Sequence, residues 1–164
     1  MMPFTRISKT ERSRPESLRW VTRHEPHFDR CASAWLIRRF IDPDAVFEFI
    51  EGEDPIPMGT IPFILPRAEI NPIEGLKATF DVLVEKYRIK DPTISLIQDI
   101  IHDFEVNSGE DLSKVRLRET AGLFKIVRGL ARISKTDDEI LFKAFIVFDS
   151  LYSQLSAEVK EKGW

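Results

Sequence analysis

The chain has little of what several kinds of protein depend on. One cysteine in 164 residues, Cys31, excludes an internal disulfide framework and paired CxxC motifs. It falls among apolar helix positions and reads as a buried, inert thiol. Three histidines leave few imidazoles, and no serine–histidine–acid set or phosphate-binding glycine loop is visible. No run of about eighteen apolar residues occurs, and the opening MMPFTRISKTERSRPESLRW is polar and basic with no hydrophobic signal core. A cytoplasmic protein without a membrane span is the expectation. Nor is there an excess of basic charge: 24 Lys and Arg against 27 Asp and Glu give a net charge of −3. That balance supplies no general attraction to nucleic acid or to an anionic membrane.

What remains is ordinary globular composition, 43% apolar and 31% charged, enough for one domain with a real core. Residues 1–16 are basic and poor in large apolar groups, which predicts a flexible lead-in to a single domain over 17–164. LRWVTR and AVFEFIE alternate as short strands and bracket a helix, so a strand, helix, strand crossover is predicted. Residues 52–76 are dense in proline and glycine and read as an extended loop with a short edge strand at IPFIL.

Everything after that loop has helical spacing. LKATFDVLVEKYR puts Phe80, Leu83, Val84 and Tyr87 on one face. DPTISLIQDIIHDFE opens with an aspartate cap and a proline in the first turn. ETAGLFKIVRGLARI follows, and the last helix, from Thr136, opens with the capping pair Thr136 and Glu139. The fold class is α+β and predominantly helical, with a small sheet near the N-terminus packed with about five helices.

Several polar residues do not suit a bland core. In the first helix Phe28, Ala32, Trp35, Leu36 and Phe40 form the apolar stripe, and Arg30, Arg38 and Arg39 fall off it. Asp29 suits a first turn, where the helix dipole favours an acid, and Arg30 suits an ion pair. The alternative is that His27, Asp29 and Arg30 face one pocket, with arginines offering forked donors to an oxyanion or carboxylate. His102, Asp103 and Glu105 interrupt a greasy helix carrying Ile94, Ile97, Ile100, Ile101 and Phe104. Imidazole beside carboxylates could hold part of a divalent cation's shell, and also occurs by chance at helix ends. Glu119 precedes the small residues of ETAGL. Asp149 interrupts AFIVFDSLY, where it either pairs with an arginine or orients a ligand.

The blocks WVTR, HFDRCASAWLIRRFIDPDAVFEFI, IPF, AEI, TFDVLVEKY, IIHDFE, ETAGL and FDSLY, taken in order, resemble the landmarks of the C-terminal domain of the chromate-resistance protein ChrB, over about residues 18 to 155. The resemblance implies a role in sensing or handling a tetrahedral oxyanion such as chromate. It also raises His27, Asp29, Arg30, Glu69, His102, Asp103, Glu119 and Asp149 as site candidates. Relatives commonly carry a histidine and a cysteine after the position of Glu69, where this chain offers Pro72, Glu74 and Ala78. Full-length regulators of this type also carry a winged-helix domain, which the basic lead-in cannot replace, so direct DNA binding by this chain is not expected.

Three functions follow. The first is a ligand-binding domain, sensor or accessory protein, in which Arg30, Arg38 and Arg39 meet an oxyanion or a metal ion is held by His27, Asp29, Glu69, His102, Asp103, Glu119 and Asp149. The second is a metal-dependent enzyme, with an open coordination position and a carboxylate such as Glu119 as general base. The third is a non-catalytic interaction domain whose polar residues are internal ion pairs. A divalent metal is the cofactor to test for. No nucleotide cofactor is expected, and one buried cysteine is a poor source of electrons for chromate reduction.

Overall fold

In the computed structural model the described residues are 18–163, and the basic lead-in expected over 1–16 lies outside them. Arg19–Arg23 forms strand β1, with Trp20, Val21 and Thr22 buried. It is the centre of a three-stranded parallel sheet, flanked by β2 (Val46–Ile50) and β3 (Thr60–Pro62). Arg19 stands opposite both Val46 and Thr60. Pro62 ends an edge strand, where a missing N–H disrupts no ladder.

The first helix, α1, runs over Phe28–Leu36 between β1 and β2, giving the expected parallel crossover. The sequence predicts a one-sided stripe. Instead Ser33 and Ala34 are buried as well, along with Phe28, Ala32, Trp35, Leu36 and the expected Cys31. The small residues of CASA let α1 serve as the central helix, because α2 (Thr79–Lys86), α3 (Pro92–His102), α4 (Arg118–Ile133) and α5 (Asp137–Glu161) all pack against it. Cys31 is fully buried, its thiol pushed up to about 12 by that burial.

Both α1 and α3 end in a wider π turn, at Ile37–Ile41 and Asp103–Asn107. The closing bonds span five residues, Asp42 N–H to Ile37 O at 2.7 Å and Ser108 N–H to Asp103 O at 2.9 Å. Asp91 caps α3 by accepting from the N–H groups of Thr93 and Ile94 at 2.8 and 3.1 Å, with Pro92 in the first turn. Thr136 accepts from Glu139 N–H at 3.1 Å, while Glu139 reaches the N–H of Lys135 rather than that of Thr136. With five α-helices and one small sheet among the described residues, the fold is α+β and mainly helical.

An aromatic cluster joins the start of α1 to the far end of α3 and to α4. Phe28 meets Phe104 and Phe124 edge-on at 5.3 and 5.6 Å between ring centres, and Phe104 lies 4.3 Å from Phe124. Each such pair contributes about 0.5–1.5 kcal/mol beyond its buried area. The cluster matters here because it forms the floor of a cleft.

Candidate functional site

The cleft opens where the first turn of α1, the π turn after α3, α4 and the loop after β3 meet. Its volume is about 450 Å³, and His27, Asp29, Arg30, Glu105, Glu110 and Arg128 line it above Phe28, Phe104 and Phe124, with Ile64 and Pro72 at one side. A smaller polar recess of about 280 Å³, lined by Arg23, His24, Glu25 and Glu51, shares His27 and Arg30 with it.

Arg30 is fixed by the sheet. Its Nε donates to Thr22 Oγ1 at 3.1 Å and its Nη2 to Ile64 O at 2.8 Å, while Thr22 Oγ1 donates to Phe63 O at 2.7 Å. A guanidinium held at two nitrogens has lost much of its rotamer freedom before any ligand arrives. Burial and the neighbouring Arg23 lower its pKa, and Asp29 and Glu105 act in the opposite direction. Across the cleft Arg128 Nη1 lies 3.0 Å from His27 Nδ1. Burial first, then Arg128 and Arg30, hold the His27 imidazole below the usual histidine range. A neutral ring can accept the Arg128 N–H at that nitrogen.

Asp29 does not cap its own helix. Ser33 Oγ donates to its Oδ1 at 3.2 Å, and its Oδ2 accepts the N–H of Thr79, at the start of α2, at 3.1 Å. Burial pushes its carboxyl up despite those bonds. Glu105 is also pushed up, to about 9, by burial and then by the charges of Asp29 and Glu110, with Arg30 opposing. At neutral pH the cleft therefore presents, beside Asp29 and Glu110, two arginines, a neutral imidazole and a glutamic acid that still carries its proton. The last of these donates a hydrogen bond and adds no negative charge.

Of the ten candidates read from the sequence, His27, Asp29 and Arg30 come together, and the others are placed elsewhere. Arg38 donates to Ala45 O at 2.6 Å and lies over the rings of Phe47 and Phe145 at 5.5 and 5.6 Å. Arg39 is engaged with Asp149, through Nε at 2.9 Å and Nη2 at 2.8 Å, and Asp149 also accepts the Trp35 indole N–H at 2.8 Å. Glu69 is an exposed side chain 4.0 Å from Lys86. His102 Nδ1 lies 2.7 Å from Asp81 Oδ2, and Asp81 is further held by Gln98 and by the N–H of Ala78, each at 2.8 Å.

Asp103 is buried and turned the opposite way from Glu105. It accepts the N–H groups of Arg116 and Leu117 at 3.0 and 2.9 Å and the Thr120 hydroxyl at 2.6 Å. Burial alone would raise its pKa, but these bonds together bring it below the usual carboxylate range. Glu119 is exposed in the first turn of α4, beside a separate 220 Å³ groove that includes Leu96, Ile100, Leu117 and Leu155. Among the described residues no group of three or more His, Cys, Asp or Glu side chains is arranged to hold a metal ion.

Sequence reasoning reached Glu105 only as part of the HDFE cluster and did not single out Arg128 or Glu110. Arg128 has one faint signal: it lies one turn after Phe124 on α4, so the residue that floors the cleft and the one that rims it share a face. Glu110 belongs to a loop with no periodicity to read.

The family described as "ChrB, C-terminal domain" matches residues 20–155. Protein ChrB of Cupriavidus metallidurans is 29% identical over 155 residues, which cover 94% of this chain and 46% of that protein. The chain thus spans a little under half the length of this curated relative. No solved structure matches it. The matched span runs from the central strand β1 into the last third of α5 and takes in every residue that lines the cleft, and with it the chain belongs to the ChrB C-terminal domain family.

Proposed function

We propose that the cleft binds a small tetrahedral oxyanion of the chromate type, and that the domain is the ligand-binding part of a chromate-resistance sensor or accessory protein. The observation that carries this reading is Arg30, locked by Thr22 and Ile64 at the wall of a cleft that Arg128 also lines. A dianion needs converging donors and little competing negative charge. Two guanidinium groups supply the donors, and a protonated Glu105 removes one of the three acids of the cleft as a competing charge, leaving Asp29 and Glu110. Membership of a chromate-resistance family supports the choice of ligand.

The test is calorimetric titration with chromate at pH 7, with sulfate as competitor. Wild-type protein binds, and Arg30→Gln and Arg128→Gln each weaken binding by roughly tenfold or more while far-UV circular dichroism stays unchanged. No heat with wild type, or wild-type affinity in Arg30→Gln, sinks the reading.

A second reading rests on the mutual repulsion of Asp29 and Glu105, which a bound divalent cation would relieve. It predicts metal in protein purified without an affinity metal, lost in Glu105→Gln and retained in His102→Ala. Metal-free wild-type protein that also fails to take up added Mn²⁺ or Zn²⁺ rejects it.

A further inference from the structure

The surface opposite the cleft carries large apolar side chains that the fold leaves uncovered. On α4, Ile126 and Ile133 are 55% and 66% exposed; on α5, Phe142 and Ile146 are 67% and 52% exposed. The two helices form an antiparallel hairpin through a turn at 134–136 and pack against each other. Ile126 and Ile133 flank the buried Leu130. Phe142 and Ile146 flank Lys143, whose Nζ crosses to Ile133 O at 3.3 Å.

Gly122 and Gly129 complete the α4 stripe, in the spacing Gly122, Ile126, Gly129, Ile133. Their backbone is ordinary helix, and no atom lies within 4 Å of where a Cβ would stand on either one. Nothing among the described residues calls for glycine there, although each costs about 1 kcal/mol of helix stability relative to alanine. Bare backbone on an exposed helix face, set between isoleucines, suits the close approach of another helix.

We propose that a second copy of this chain docks on the α4–α5 face, and that the two hairpins form a four-helix bundle about a two-fold axis parallel to the helices. In that arrangement each α4 lies antiparallel to the α5 of the other copy, with both turns at the same end. Exposed Arg132, in the last turn of α4, then meets exposed Asp138, in the first turn of the other α5. With Arg132 near the end of α4 and Asp138 at the start of α5, the pairing of α4 with α5 is favourable and that of α4 with α4 unfavourable.

The area is of the right order. Four side chains exposed by half to two-thirds present on the order of 400 Å² of apolar surface. Two copies therefore bring about 800 Å² together, close to the apolar share of a standard interface of about 1,600 Å².

Sedimentation equilibrium over a concentration series tests the proposal, with circular dichroism and thermal melts as controls for folding. Wild type reaches twice the monomer mass. Ile133→Asp with Phe142→Asp shifts the dissociation constant upward by a hundredfold or more. Gly129→Leu meets open space in the isolated chain, so it melts no lower than wild type as a monomer yet fails to dimerise. Arg132→Glu weakens the dimer, and adding Asp138→Arg restores it. A wild-type monomer at every concentration overturns the proposal, as does a dimer indifferent to these changes. Slowed hydrogen exchange at Ile126 and Phe142 only on adding phosphatidylglycerol vesicles would overturn it too, assigning the face to a membrane surface instead.

Discussion

The Asp149 carboxylate of α5 accepts the indole N–H of Trp35, in the central helix α1, at 2.8 Å, and the same carboxylate grips Arg39 one turn further along. Trp35 is buried, so its N–H has no water to fall back on. Asp149→Ala is expected to destabilise the domain by roughly 1–3 kcal/mol in urea denaturation, with a change in tryptophan emission. Arg39→Gln should cost about 1 kcal/mol or less, because that half of the contact is exposed. Equal losses from the two substitutions would show that the ion pair, not the indole bond, is the important part.

Asp103 acts as a remote cap for α4. Asp103→Ala strands the N–H groups of Arg116 and Leu117 and the Thr120 hydroxyl, for an expected loss of roughly 2–4 kcal/mol. Amide exchange should speed up at Arg116 and Leu117 before it does in α3. Unchanged protection there would contradict the capping role.

Glu105 makes stability depend on pH. Its folded-state value of about 9 lies above the ordinary 4.5, so the folded chain holds a proton that the unfolded chain has released between those limits. Stability is therefore full below about pH 4.5 with respect to this group and falls as pH rises toward 9. Glu105→Gln should flatten that decline and be more stable than wild type at pH 8, by roughly 1–3 kcal/mol. Parallel pH profiles for the two proteins would remove Glu105 as the titrating group.

His24 and Asp137 join the end of β1 to the start of α5 at 2.6 Å, and Asp137 holds the His24 imidazole above the usual histidine range. The contribution of a raised histidine is present below its ordinary pKa and is lost as pH rises through the folded value. Asp137→Asn should lower the melting temperature by about 1–2 °C at pH 5.5 and by less at pH 9. A chemical-shift titration of the His24 ring checks the direction directly.

The sequence carried the fold further than it carried the site. The strands at LRWVTR and AVFEFIE and the cap written as Asp91 before Pro92 rest on local signals, and both strands and the cap form, although consecutive burial of Trp20, Val21 and Thr22 replaces the expected alternation in β1. Asp103 shows why the site was harder. An acid in a greasy helix looks like a ligand, but its partners are backbone N–H groups thirteen and fourteen residues away, and residue type does not reveal which amides lack a partner. His102 was misleading in the same way, because Asp81 belongs to a different helix. Arg128 stayed hidden for the opposite reason: an arginine on an amphipathic helix looks like solvent-facing charge until the fold sets His27 against it.

The π turn at Asp103–Asn107 holds one residue more than a regular helical turn would use. Removing a single residue there would let the α-helix continue and rotate all that follows by about 100°. Glu110 would then leave Glu105, and Phe104 would lose its place beside Phe124. Segment length is thus as much a determinant of the cleft as chemistry is. Two relatives with identical cleft side chains but different lengths at this turn would differ in what they bind, whereas insertions in the exposed stretch 53–55 would leave the cleft as it is.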